Sequence, residues 1–495
     1  MDMYSLKHPE EFCNTPFTTL EKQWAKKSDS DWQKDGEAFA LNLFHKAATQ
    51  VPAYTKFLKT HKILHETIQS IADFASIPLT DKQNYIYKYP LSELVWDGNI
   101  HNNFLINASS GTTGLPQFWP VSIENVTKGA VVKELLYRKC FSMHKRKTLL
   151  IICFGMGTWI AGSFTLQTSQ LVAKKNYPLT IITPGFNKEE TLRILELLSP
   201  EFEQTIIAGI PTFVKDLLEE WSLKKDSNKV RHIRLLLAAE GFSEQWRDYM
   251  LEKIHSNNLT DIIGIFGSAD ATLMGFETKS SIDARQVLSQ NKNLRSDLFN
   301  DEKLPTLTNY IPSFTFFEKI DNQLVLTANR GIPLIRYNIH DYGGVFHATD
   351  LIETVKKYGA HISKSDYNLP FVYVFGRGKF TATIYAANIY PENIREVLDD
   401  KQVRKDVTGK FLLETKYNKK QDHSLIMRVE LQKDVKKSQR LINRITKIFM
   451  DKVPAINSEY KRILEEYGLK AKPHVRLYEF CDKKYFPSKI FRKSS

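Results

Sequence analysis

At 495 residues the chain is too long to fold around a single compact core, so two or three domains are expected. Hydrophobic residues at 42% and charged residues at 25% give the balance of a soluble globular protein and exclude a fibrous or largely disordered one. The net charge of +13 suits anionic partners such as nucleic acid, a membrane surface, ATP or CoA; because the basic residues are spread along the chain, a solvated lysine-rich surface explains it equally well.

The N-terminus, Met-Asp-Met-Tyr-Ser-Leu-Lys-His, lacks the basic-then-apolar order of a signal peptide, and residues 1–36 read as an N-terminal arm of uncertain order. From Gly36 to His65 apolar residues recur at helical spacing, with Pro52 dividing the run in two. Thr80 is placed to cap a polar helix beginning at Asp81. Ser122–Phe141 reads as a helix and Leu149–Phe154 as a strand. The uncharged stretch Thr148–Ala173 is too rich in Gly, Thr and Gln for a membrane span, and a buried strand running into a Gly-rich loop is expected. Further strands at 176–183, 205–209 and 234–239 alternate with helices at 188–198, after Pro211 and at 243–255, which implies βαβ units and a largely parallel sheet. Residues 278–305 read as a long polar loop, and an Asp321-Asn322 turn joins two hairpin strands. The last 120 residues are Lys-rich and read as a small α+β domain. The four cysteines, Cys13, Cys140, Cys153 and Cys481, form no Cys-x-x-Cys pair, which argues against a zinc site or a disulfide framework and fits a cytoplasmic protein.

One loop stands out chemically. Asn107–Pro120 follows an apolar run and contains Ser109-Ser110-Gly111-Thr112-Thr113-Gly114. Such a loop can aim several backbone N–H groups and hydroxyls at one anion, as a phosphate cradle does, although no Gly-Lys-Ser/Thr closes it as in a Walker loop. An ordinary Ser/Gly surface loop has the same composition.

Ser-Ser-Gly-Thr-Thr-Gly-Leu-Pro resembles the phosphate loop of the acyl-adenylate-forming superfamily, most of all its phenylacetate–CoA ligase branch. Five later segments resemble that family in the same order. Ala239-Glu240-Gly241 falls where the family places adenine. Phe266-Gly267-Ser268-Ala269-Asp270 is similar to its aromatic-Gly-x-Ser/Thr-Glu motif, which implies adenine stacking by Phe266 and a magnesium ligand in Asp270. Ala269 stands where the family has a hydroxyl, and Ser268 is the neighbouring substitute. Pro333–Asp341 is close to Pro-Leu-Ile-Arg-Tyr-x-x-x-Asp, whose Asp, here Asp341, would accept both ribose hydroxyls. Gly376-Arg377-Gly378-Lys379 opens the last domain, with Arg377 on the nucleotide side and Lys379 at the hinge; Phe380 and Tyr385 depart from the acidic residue and the Gly found there. Phe486–Arg492 resembles the Gly-Lys-x-x-Arg ending, with Ser488 in place of Gly and Lys489 as the catalytic lysine.

The resemblance implies an α/β adenylate-forming fold: the arm over 1–36, a large AMP-binding domain of βαβ subdomains over 37–375, and a small mobile α+β lid over 376–495. It implies ATP, Mg2+ and CoA as cofactors, a small carboxylic acid as substrate, no nucleic acid partner and no membrane span. An amine or carrier-protein acceptor, or a non-catalytic nucleotide-binding relative, are the alternatives.

Overall fold

A computed structural model of the chain describes residues 8–109, 117–224, 230–363, 367–376, 382–385 and 387–486. They form two compact units, a large one that runs to Gly376 and a small C-terminal one.

The large unit is built on an eleven-stranded sheet. Outside it, β1 (Leu105–Ser109) and β2 (Gln117–Val121) pair as a separate two-stranded sheet. The sheet's first half comprises β3 (Thr148–Cys153), β4 (Leu179–Ile182), β5 (Gln204–Gly209), β6 (Ile233–Leu237) and β7 (Ile262–Ser268). These lie parallel in the order β4-β3-β5-β6-β7. Every residue of β3, β5 and β6 is buried, the pattern of strands covered on both faces. The intervening helices begin on the expected signals: Asn187 caps Lys188–Leu197, Pro211 opens Pro211–Trp221, and Ser243 caps Glu244–Lys253.

The second half comprises β8 (Thr272–Phe276), β9 (Thr306–Asn309), β10 (Phe316–Ile320), β11 (Gln323–Ala328), β12 (Leu334–Phe346) and β13 (Phe371–Gly376). It continues from β7 in the order β8-β9-β13-β12-β11-β10, with every pairing antiparallel. The sheet is therefore mixed rather than largely parallel. The strand pairs β7–β8 and β10–β11 meet through tight turns, which cannot join parallel neighbours. In the β10–β11 turn Asp321 and Asn322 both have positive φ, 51° and 61°, as a two-residue hairpin loop of matching twist requires.

Three further expectations are corrected. Residues 278–305 are not a loop: Lys279–Gln290 and Lys292–Phe299 are helices that bury Ile282, Leu288 and Leu294. Their apolar positions are too sparse to reveal the period. Nor does Thr80 cap a helix. Its N–H and C=O bond Arg336 O and Asn338 N at 3.0 and 2.8 Å, its hydroxyl donates to Ile335 O at 2.8 Å, and only a short turn at Ile86–Lys88 follows. The expected arm of uncertain order, in turn, holds helices at Pro9–Asn14, Phe17–Trp24 and Asp29–Gln50 among its described residues. Phe12, Trp24 and Trp32 are at most 1% exposed, and the Trp32 indole N–H donates to Tyr367 O at 2.7 Å. The spacing Phe17, Leu20, Trp24 is helical but is hidden among charges and broken by Pro16. After the next break, Pro52 opens the helix Pro52–Thr60.

The small unit has its own core. β14 (Ala382–Ile384) pairs with β15 (Ala387–Ile389); β16 (Val407–Tyr417) and β17 (His423–Leu431) form a hairpin, with β18 (His474–Tyr478) parallel to β17. The helices Pro391–Leu398 and Gln439–Ile456 bury Ile394, Val397, Ile445 and Phe449 in that core.

Candidate active site

In a parallel sheet ligands sit beyond the carboxyl ends of the strands. At the end of β6, Ala239 takes a positive φ of 72°, an uncommon conformation for a residue with a side chain, and turns the chain away from the sheet. The next residue, Glu240, is 9% exposed. Its Oε2 accepts from the Thr212 N–H at 3.0 Å and the Thr212 hydroxyl at 2.5 Å, which sets a carboxylate on the first turn of Pro211–Trp221. Its Oε1 is buried without a hydrogen-bond partner. A buried acceptor left unmade is costly, so it is a natural counterpart for a ligand N–H.

Beside it, β7 ends in the glycine motif, since Leu237 of β6 pairs with Gly264 of β7. A Cβ at Gly267 would lie 2.6 Å from Thr272 O, so only glycine allows the β7–β8 turn to close. Ser268 Oγ accepts from the Ala271 N–H at 3.2 Å and closes the same turn. Phe266 is partly buried, packed against the large core cluster.

Asp270 is 5% exposed. Its Oδ2 accepts from the Tyr337 hydroxyl at 3.1 Å and pairs with Lys82 Nζ at 3.4 Å. The lysine side chain is 25% exposed and lies over the Trp119 ring, 5.7 Å from its centroid. Two segments far apart in sequence therefore meet on one carboxylate. Tyr337 lay within a segment already singled out; Lys82, a lone lysine in a polar stretch, carried no signal.

Arg336, the neighbour of Tyr337, has a structural task. It is 5% exposed, pairs with both oxygens of Glu318 at 3.1 Å, and donates to the carbonyls of Ala75 and Ile77. Burial raises the Glu318 carboxyl while Arg336 draws it back, and the net shift is upward. Asp341 lies half-buried on β12, next to the Tyr342–Gly376 pairing. Ser109 closes β1, whose Ala108 N–H donates to Thr158 O at 2.9 Å in the loop after β3. Ser110, Gly111, Thr112, Thr113, Gly114, Arg377, Lys379 and Lys489 lie outside the described residues.

Glu240 Oε1 offers a free acceptor of the kind an exocyclic amine would satisfy. Asp270 offers hard oxygen of the kind magnesium takes, and magnesium commonly uses one or two carboxylates with phosphates and water. Here the Lys82 ammonium already shares that carboxylate.

No family profile matches the sequence, and no curated protein matches it. Solved structures do. A 2-hydroxyisobutyryl-CoA ligase bound to 2-HIB-AMP and CoA superposes with a TM-score of 0.59 at 14% identity, covering 92% of this chain and 87% of that one. A malonyl-CoA ligase product complex aligns at 0.41 and 9% identity, over 78% of this chain and 72% of its own. The o-succinylbenzoate CoA synthetase of Bacillus subtilis aligns at 0.41 and 12%, over 77% and 66%. The first of these establishes the fold: a large mixed α/β unit with a smaller α+β unit, as in the adenylate-forming enzymes.

Proposed function

We propose that this protein activates a carboxylic acid with ATP, forming an acyl-adenylate and pyrophosphate, and then transfers the acyl group to CoA, in the manner of a phenylacetate–CoA ligase. The observation that carries this reading is the meeting of Asp270 with Tyr337, which joins two of the family-like segments at one buried carboxylate beyond the end of β7. The shared fold and the order of the sequence segments support it.

The chemistry must overcome repulsion between a carboxylate and the phosphates of ATP. In this reading magnesium, when bound, supplies positive charge at the phosphates. Ser109–Gly114 cradle the phosphates, Glu240 Oε1 accepts from the adenine amine, Phe266 covers the ring, and Asp341 holds the ribose hydroxyls. Lys489 sets its ammonium against the α-phosphate in the first half-reaction, and rotation about Lys379 withdraws it in the second.

Pyrophosphate exchange into ATP across a panel of carboxylic acids tests the first step, and CoA-dependent thioester formation tests the second. Absence of acid-dependent exchange with every acid would overturn the reading. Exchange that proceeds to an amide or a carrier-bound product would change the acceptor but keep the first step.

A further inference from the structure

Away from the strand ends discussed so far, the helix Asp29–Gln50 and the antiparallel half of the sheet enclose a cavity of about 250 Å3. Its buried wall is aromatic: Trp32 is 1% exposed, Phe317 4% and Tyr310 7%. Among the described residues its more exposed lining carries three carboxylates, Asp29, Glu37 and Asp350, with one histidine, His347, and no lysine or arginine; the Lys27 ammonium lies over the Trp32 ring, 5.0 Å from its centroid, outside that lining. In a chain of net charge +13 this is a locally reversed field.

Part of that acidity has a structural use. Asp29 Oδ2 accepts from the Thr349 N–H at 3.0 Å and from the Thr349 hydroxyl, capping the helix Ala348–Lys357. Asp29 Oδ1 is nevertheless buried with no hydrogen-bond partner. Glu37 accepts one bond from the Gln33 amide at 2.9 Å, which leaves its charge uncompensated. Buried aromatic faces below and unneutralised carboxylates above are complementary to a ligand with an apolar body and one positive end. An anion would meet three like charges, and a neutral apolar ligand would leave the carboxylates unanswered.

We propose that this cavity binds a small organic monocation, an arylalkyl- or alkylammonium, with its apolar body on Trp32, Tyr310 and Phe317 and its ammonium among Asp29, Glu37 and Asp350. The site does not depend on the adenylation reading. It would give the protein a second ligand of opposite charge to a carboxylate substrate.

The test is calorimetric titration of the full chain with phenethylammonium, with 2-phenylethanol as its neutral counterpart. Saturable binding of the amine, at least tenfold tighter than the alcohol, is expected. It should weaken at least tenfold in Glu37→Gln/Asp350→Asn. Gln33→Lys, which adds an ammonium on an exposed lining position, should weaken it likewise and guards against misfolding of the double variant. No saturable binding, equal affinity for the alcohol, or unchanged affinity in both variants would overturn the proposal. Displacement of the amine by AMP would also overturn it, because the amine would then occupy the nucleotide site.

Discussion

Strand β8 has a buried carboxylate at each end, and the two are treated differently. Glu277, just after the strand, is 1% exposed and meets Arg247 at 2.6 Å, Arg285 at 3.2 Å and the Gly264 N–H at 2.7 Å. Glu244 completes the cluster, 2.8 Å from Arg247 and 3.1 Å from Arg285. All four side chains are at most 3% exposed. Asp270, just before the strand, has a phenol and one flexible ammonium that reaches the surface. Two rigid guanidiniums close the first site, and their planar forks suit paired carboxylates. The ion pair described at Asp270 is with one partly exposed lysine, so the second site is the less rigidly closed of the two. The closed cluster reads as structure, and under the adenylation reading the more open one serves the chemistry.

The largest expected effect comes from breaking the closed cluster. Glu277→Ala leaves two buried guanidiniums short of a partner and should cost about 3–5 kcal/mol in urea unfolding. A loss below about 1 kcal/mol would show that the cluster is not the structural end of β8. Burial alone would raise the Glu277 carboxyl, but Arg247 and Arg285 hold it below its ordinary value of 4.5. Its contribution is therefore present above that pH and is lost as the pH falls through the lowered value.

A buried charge with no partner sharpens the contrast from the other side. Lys133, 2% exposed, has its ammonium pulled down to about 7 by burial. The unfolded chain holds that proton up to about pH 10.4, so folding is penalised increasingly as the pH falls from there towards 7, after which the penalty is level. Lys133→Met should stabilise the protein by about 2–4 kcal/mol at pH 7, and the gain should shrink towards zero near pH 10. A gain independent of pH would mean that packing, not charge, is responsible.

The open site should show a smaller effect on stability and a larger one on chemistry. Asp270→Asn keeps an acceptor for Tyr337 and loses one partly exposed ion pair, about 1 kcal/mol or less. The adenylation reading expects at least a tenfold fall in pyrophosphate exchange and a raised magnesium requirement. Unchanged exchange with unchanged stability would leave Asp270 without the proposed role. Of similar size in unfolding, Ser268→Ala removes one turn hydrogen bond, worth about 0.5–1.5 kcal/mol. If exchange falls as well, the hydroxyl also serves the nucleotide in place of the one missing at Ala269.

The parallel half of the sheet was legible because its strands are short, mostly apolar and punctuated by Asn187, Pro211 and Ser243 at helix starts. The Asp321-Asn322 hairpin was legible for the same local reason. The helices over 279–299 were not, since they cover the core with few apolar residues each. Of the site, the segments around Glu240 and Asp270 could be found from their strand-then-glycine pattern. Lys82 could not: its partner is 188 positions away in sequence (270 − 82), and nothing local marks the pairing. The phosphate loop beyond Ser109, the hinge and Lys489 rest on sequence pattern alone.

Arg336 and Thr80 fasten the segment that leads to Lys82 onto β12, the strand that carries Tyr337. The Lys82 and Tyr337 groups that touch Asp270 thus hang from one support. A shift of β12 relative to β7 would carry the ammonium and the phenol together, so the carboxylate would gain or lose these two in concert rather than one at a time. Arg336→Lys, which keeps the charge but not the fork that reaches two carbonyls, would loosen that gang of contacts without touching any of its members.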